Sequence, residues 1–360
     1  MNFKNVNLKT MAALMAVAFG AMSCNNDDDN NNNPQPQQNV LQLAVANPNL
    51  DVLEAAATRA GAAVTNVLSG TTQITVFAPT DDAFVRYLGV ANEAAAITAI
   101  NGLAPAAVAD ILTYHVISGQ AITAANVPAG PNAEVTTVRA NNNRAYVTRA
   151  AGGVSINGSR VVNADVAASN GVVHVIDAVL YPPVGNIVQT ATNELYAANF
   201  NILVAAVTRA GLADALSGTG PFTVFAPTDD ALLATLRTVL NNPSLTEAEA
   251  LSAIPTLTDT STPLNVPALR NILLYHVASG RNYSALLTAG NVPTLLSTTG
   301  GMVQAGGTAR TVAVALPASG VTVTGGGNGG TASNVVGRFA NITTTNGVIH
   351  VIDRVLLPGS

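Results

Sequence analysis

Tryptophan is absent, cysteine occurs once and lysine twice in 360 residues, and charged side chains make up only 10% of the chain. Each shortage excludes something. A single cysteine cannot close an intrachain disulfide or build a thiolate metal site. Both lysines, Lys4 and Lys9, stand in the first ten residues, and beyond them 13 arginines face 20 carboxylates, a net of −7 with no basic cluster. Nothing there would neutralise a run of phosphates, so nucleic acid is not an expected partner. Aromatic residues are 4% of the chain while apolar ones are 48%, so the cores must be built from small and β-branched side chains. The length suits two domains of ordinary size.

Lys4 and Lys9 precede an apolar run at residues 11–21, too short to span a bilayer and patterned like a targeting segment over residues 1–23, which implies export. The lone cysteine follows directly in Ala21-Met22-Ser23-Cys24, which resembles the lipobox of bacterial lipoproteins. That resemblance implies acylation of Cys24, with the N-terminal lipid as the expected link to a membrane. Residues 24–38 then form a lipidated cysteine and a polar tract of Asn, Asp, Gln and Pro that cannot bury a core and is expected to be a disordered tether. At ~5–6 Å × √n such a tether reaches roughly 20 Å. Its acidic start, Asp27-Asp28-Asp29, is similar to the surface-export signal of Bacteroidetes lipoproteins. The implied location is the outer membrane, facing outward, with periplasm or secretion as alternatives.

Laid against itself, the remainder repeats. Asn39-Val-Leu-Gln returns as Asn186-Ile-Val-Gln, and Thr58-Arg-Ala-Gly61 as Thr208-Arg-Ala-Gly211. Phe77-Ala-Pro-Thr-Asp-Asp-Ala83 returns as Phe225-Ala-Pro-Thr-Asp-Asp-Ala231, and Ile111-Leu-Thr-Tyr-His-Val116 as Ile272-Leu-Leu-Tyr-His-Val277. Asn170-Gly-Val-Val-His-Val-Ile-Asp177 returns as Asn346-Gly-Val-Ile-His-Val-Ile-Asp353. The offsets grow from 147 to 176, which places insertions in the second copy at residues 241–263 and among the glycines of residues 300–330, where surface loops are expected. The domains are accordingly residues 39–182 and 186–358.

Within each copy the period changes. Phe200, Ile202, Leu203, Ala206, Val207 and Ala210 recur at helical spacing ahead of Gly211, and Pro105 and Pro267 suit a helix's first turn before Tyr-His. Residues 144–149, 154–156, 161–166 and 172–180 are short β-branched runs split by Gly and Asn, the mark of antiparallel strands and hairpins. Helices followed by strands predict an α+β module.

The motifs and their order resemble the fasciclin (FAS1) domain over essentially the whole remainder. The two Thr-Val-Phe-Ala-Pro-Thr-Asp-Asp boxes, the Tyr-His pairs and the closing Asn-Gly-Val-x-His-Val-Ile-Asp strands carry the likeness. The resemblance implies a β-wedge or sandwich of short strands flanked by helices, in tandem on secreted or anchored proteins, with roles in adhesion and matrix contact and no catalytic activity.

The candidate site residues are these motif positions: Thr80, Asp81, Tyr114, His115, His174 and Asp177 in the first copy, and Thr228, Asp229, Tyr275, His276, His350 and Asp353 in the second. Read as structure, each imidazole is hydrogen-bonded inside its module. His174 and Asp177, three apart on a strand, point to opposite faces and make a poor dyad. Asp81-Asp82 and Asp229-Asp230 follow Pro-Thr and precede helical runs, where Thr caps a helix and carboxylates meet its positive end. No nucleophile elbow, phosphate loop, metal-ligand cluster or cofactor motif is visible. The expected function is a surface adhesion or interaction lipoprotein whose partner is a protein or a matrix or surface polymer. A carbohydrate-binding lipoprotein is the alternative, short of aromatic platforms, and a hydrolase the least supported reading.

Overall fold

The computed structural model describes residues 37–150, 152–194, 199–304, 307–318 and 320–359. The leader, Cys24 and nearly all of the expected tether lie outside the described residues. Asn39 opens the first module: its side chain accepts from the Gln42 N–H while the Gln42 carboxamide accepts from the Asn39 N–H, a capping box that starts α1 (Val40–Ala46). Helices α2 (Asp51–Ala60) and α3 (Ala62–Ser69) follow, then β1 (Ile74–Pro79), α4 (Asp81–Leu88), α5 (Glu93–Gly102) and α6 (Pro105–Tyr114). The strands β2 (Val116–Ser118), β3 (Gly130–Thr136), β4 (Arg144–Ala150), β5 (Gly153–Ile156), β6 (Ser159–Ala168) and β7 (Gly171–Ile176) complete it.

The second module restarts with the same box, Asn186 with Gln189, at α7 (Ile187–Ala191), and continues through α8 (Asn201–Arg209), α9 (Ala213–Ser217), β8 (Phe222–Pro227), α10 (Asp229–Val239), α11 (Glu247–Ala253) and α12 (Val266–Tyr275). Its strands are β9 (Val277–Ser279), β10 (Gly290–Ser297), β11 (Ala309–Ala315), β12 (Thr322–Thr324), β13 (Ser333–Asn334), β14 (Ile342–Thr344) and β15 (Gly347–Ile352).

The α+β expectation holds, but the sheets are mixed, not purely antiparallel. Strand order is β2-β1-β7-β6-β5-β4-β3 in the first and β13-β12-β11-β10-β9-β8-β15-β14 in the second. In each, the first and last long strands pair in parallel, β1 with β7 and β8 with β15, setting Phe77 beside His174 and Phe225 beside His350. Every residue of β1, β7 and β15 is buried, as expected of parallel strands covered on both faces. In the first module one apolar cluster packs the helices onto the sheet and a second fills its other face. The last strand also stops at Ile176 instead of running on to Leu180. The Asp177 side chain accepts from the Arg160 N–H and the Ser159 hydroxyl there, and the chain bends away.

The first insertion of the second module is partly ordered, with α11 in residues 241–263, whereas within residues 300–330 β11 and β12 are the counterparts of β4 and β5 and the added residues lie in the loops around them. A third, smaller one escaped the sequence comparison. The stretch from Ser333 to Asn346 is two residues longer than its counterpart from Ser159 to Asn170, and where β6 is one strand the second module has β13, a short turn at Gly337–Phe339, and β14.

The central parallel pair also explains the Asn-Gly dipeptides that open β7 and β15. A Cβ on Gly171 would collide with the Ile74 carbonyl oxygen of β1, and one on Gly347 with the Phe222 carbonyl of β8. Backbone cannot retreat as a flexible side chain can. Gly171→Ala is expected to destabilise the protein by about 3 kcal/mol or more, read from the urea midpoint; a loss near zero would show that the strands are not this close.

Candidate functional site

The motif residues lie in and around the central strand pair, with His174 and His350 in mid-strand, and apart from the tyrosines the same bonds form in both copies. The His115 ring, 2% exposed, bonds through Nδ1 to the Ile111 carbonyl (2.8 Å), and its Nε2 accepts from the Leu180 N–H (2.9 Å). His276 does the same with Ile272 and Leu356. Each ring therefore carries its proton on Nδ1 and bolts a helix end to the segment after the last strand. His174 and His350 use the opposite tautomer: Nε2 donates to the carbonyls of Ile122 and Asn282 (2.8 Å each), and Nδ1 accepts from the N–H groups of Asp165 and Asn341 (3.3 and 3.2 Å). With both nitrogens occupied, none of the four rings presents a free lone pair to a substrate or a metal. Among the described residues no cluster of three or more His, Cys, Asp or Glu is placed to hold a metal ion.

Thr80 and Thr228 cap the helices that follow them, accepting from Ala83 and Ala231 N–H. The carboxylates act elsewhere. Asp81 reaches back to α2 and accepts from the N–H groups of Asp51 and Val52, and Asp229 does the same for Asn201 and Ile202 at the start of α8. Both stand in the first turn of their own helix, as expected, but spend their hydrogen bonds on the preceding one. The signal was present in the sequence: Leu50 and Phe200 occupy the N-cap positions and have no capping side chain, so another element must supply the acceptor. Burial pushes both carboxyls up, opposed by these N–H donors.

Sequence reasoning also missed the side-chain amides of Asn170 and Asn346. The Asn170 side chain accepts from Val40 N–H and donates to the carbonyls of Leu68 and Gly70, and Asn346 repeats this with Ile187, Leu216 and Gly218. Asp353 accepts from Asn334 N–H and the Ser333 hydroxyl, matching Asp177.

The two tyrosines diverge, and here the modules meet. Tyr275 donates to the Thr311 carbonyl (2.6 Å) and accepts from Gly326 N–H within its own module. Tyr114 donates to the Arg144 carbonyl (2.8 Å) and accepts from the Asn157 amide (2.9 Å). Asn157 sits in a tight Asn-Gly turn, with φ of +46° there and +77° at Gly158. Its Oδ1 accepts from the Tyr283 hydroxyl of the second module (3.3 Å), and that hydroxyl also bonds to Thr343 (3.1 Å). Beside it Arg281, 7% exposed, donates to the Thr344, Thr345 and Gly347 carbonyls and lies 4.1 Å from the ring centroid of Tyr146. Asn132 donates to the Arg281 carbonyl (2.7 Å). On the other flank the small insertion delivers Arg338, whose carbonyl accepts from the Tyr181 hydroxyl. Arg139, paired with Asp110, holds the Pro183 carbonyl of the connecting segment (3.0 Å). The modules are joined by a seam of polar bonds and a cation–π contact. Its second-module residues have no counterparts in the first copy's motifs, which is why the repeat did not reveal it.

A fasciclin domain model matches residues 48–182 and 198–358. Protein sll1483 of Synechocystis is 37% identical over 148 residues, covering 40% of this chain and 73% of that one. The transforming growth factor-beta-induced protein ig-h3 of rabbit is 30% identical over 208 residues, 58% of this chain but only 24% of its own length. A solved FAS1 domain pair from the insect cell adhesion molecule fasciclin I covers 85% of the chain at 21% identity and a TM-score of 0.37.

The buried rings predict an acid response. His115, His276 and His350 are pushed down to about 4 by burial, from an ordinary 6.5. Between those values the unfolded chain binds protons that the folded one refuses. Their stabilisation is complete above pH 6.5, declines as the pH falls toward 4 and levels off below it, at up to ~1.4 kcal/mol per pH unit for each ring. Asp81 and Asp229 act in the opposite sense: raised in the folded state, they favour it most below 3.8 and lose that contribution as the pH rises through their folded values. The net expectation is a urea midpoint clearly lower at about pH 5 than at about pH 7; an unchanged midpoint would mean the rings are not buried and neutral.

Proposed function

The chain belongs to the fasciclin domain family, in two tandem copies, and from that premise we propose that it is a cell-surface adhesion or interaction lipoprotein that binds a protein or matrix polymer through both modules at once. Fasciclin domains are associated with adhesion and interaction and are generally non-catalytic. The observation that carries the reading is the seam: the Tyr114–Asn157–Tyr283 bonds and the Arg281–Tyr146 contact hold the two modules as one unit, so their exposed faces keep a set spacing. A pre-set pair binds a repetitive partner with a high effective concentration for the second contact. What differs between the copies, above all the inserted residues 241–263 and 300–330, is where specificity for the partner resides. The carbohydrate alternative is not favoured, because none of the described Tyr and Phe side chains is fully exposed as a sugar platform would be.

The anchor is proposed on the sequence around Cys24 alone. The expected outcome is that protease removes the protein from intact cells and that acyl labelling disappears in Cys24→Ala, with release of the protein to the medium; protection from protease or an unlabelled wild type would overturn the anchored, outward-facing reading. For the paired modules, a whole-cell or matrix partner is expected to bind the intact chain more than about tenfold tighter than Asn157→Ala/Tyr283→Phe. Equal binding at unchanged thermal stability would count against a pre-set pair.

A further inference from the structure

The two modules share a fold but not an interior. Between the helix layer and the sheet of the first module lies a cavity of about 290 Å³, whereas the matching space of the second measures about 50 Å³. The difference traces to named positions. Leu50, Val166 and Val173 on the first module's side correspond to Phe200, Ile342 and Ile349 in the second: Leu50 and Phe200 hold the same N-cap position, and Val166–Val173 and Ile342–Ile349 are the same cross-strand pair. Each is larger in the second module, against one reverse trade, Thr190 for Leu43. The hollow is therefore a property of this module's residues, since the same architecture is filled in the second module.

Its walls are apolar, Phe77 among otherwise aliphatic side chains such as Val40, Leu53, Leu112, Val116 and Val175. Two polar side chains touch it. Both ring nitrogens of His115 are committed to Ile111 and Leu180, and the Asn47 side chain accepts from the Asn49 N–H at the end of α1. Ala46 and Pro48 beside Asn47 are exposed, which puts the way in at the end of α1. A water in such a space would lack the two to four polar partners it needs, and dry apolar cavities of ~150 Å³ accept benzene. This one has about twice that volume.

From this we propose that the first module carries a binding site for a small neutral apolar molecule of about a dozen heavy atoms, entering past the end of α1 and seated against Val166 and Val173. The volume excludes a peptide helix, and the absence of a charged side chain among the described lining residues excludes an ionic ligand. The site is independent of the adhesion reading and stands or falls separately.

The test titrates the full chain with naphthalene, and in parallel with naphthalene-2-sulfonate, following ligand fluorescence. Saturable binding of one naphthalene per chain is expected, with the sulfonate at least tenfold weaker. Leu50→Phe/Val166→Ile/Val173→Ile, which copies the second module, is expected to weaken naphthalene binding at least tenfold while keeping or raising the melting temperature. Should that triple variant fold poorly, the single Val173→Ile change, a residue the second module already accommodates, is expected to give a partial loss. No saturable binding, equal binding of the sulfonate, or undiminished binding by the filled variants would each overturn the proposal.

Discussion

Each module depends on a parallel strand pair that is buried on both faces. A backbone so enclosed has no water to complete its hydrogen bonding where the ladder ends, and every N–H and C=O left over there must find a protein partner. The residues that resemble a functional site are those partners. His115 joins the end of α6 to the Leu180 N–H beyond β7, His174 in mid-strand takes the Ile122 carbonyl and the Asp165 N–H, Asn170 ties α1 and α3 to the entry of β7, and Asp81 supplies the missing cap of α2. Their repetition bond for bond in the second copy is what a shared folding requirement looks like.

The histidines show how a chemical group can be spent on structure. An imidazole is useful to a fold because it is donor and acceptor on one rigid plane, and useful to catalysis because one of its nitrogens is free. The four rings here have none free, and the two in each module take opposite tautomers because one faces a carbonyl through Nδ1 and the other through Nε2.

Against that shared frame, the differences between copies carry the individuality of the molecule. A two-residue lengthening brings Arg338 and Phe339 against Tyr87 and Tyr181, and Arg281 and Tyr283 reach Tyr146 and Asn157. Three side chains enlarged by a methylene or a ring separate a filled interior from a hollow one. Neither kind of change disturbs the pinned strand pair, so both can vary without unmaking the fold.

The sequence by itself determined the two-copy plan, the α+β class, the capping threonines and the helical and strand periods, because these are written in local spacing and in repetition. It also pointed to Tyr-His and Asn-Gly-Val as marked positions. What it could not determine were relations between residues far apart in the chain: that β1 lies parallel to β7, that Asp81 caps a helix some thirty residues earlier, and that Asn157 joins Tyr114 to Tyr283. A period of two or of 3.6 records which way a side chain faces, and not which distant backbone it meets. Only the tertiary structure decided those pairings, because each is set by where packing brings two segments together.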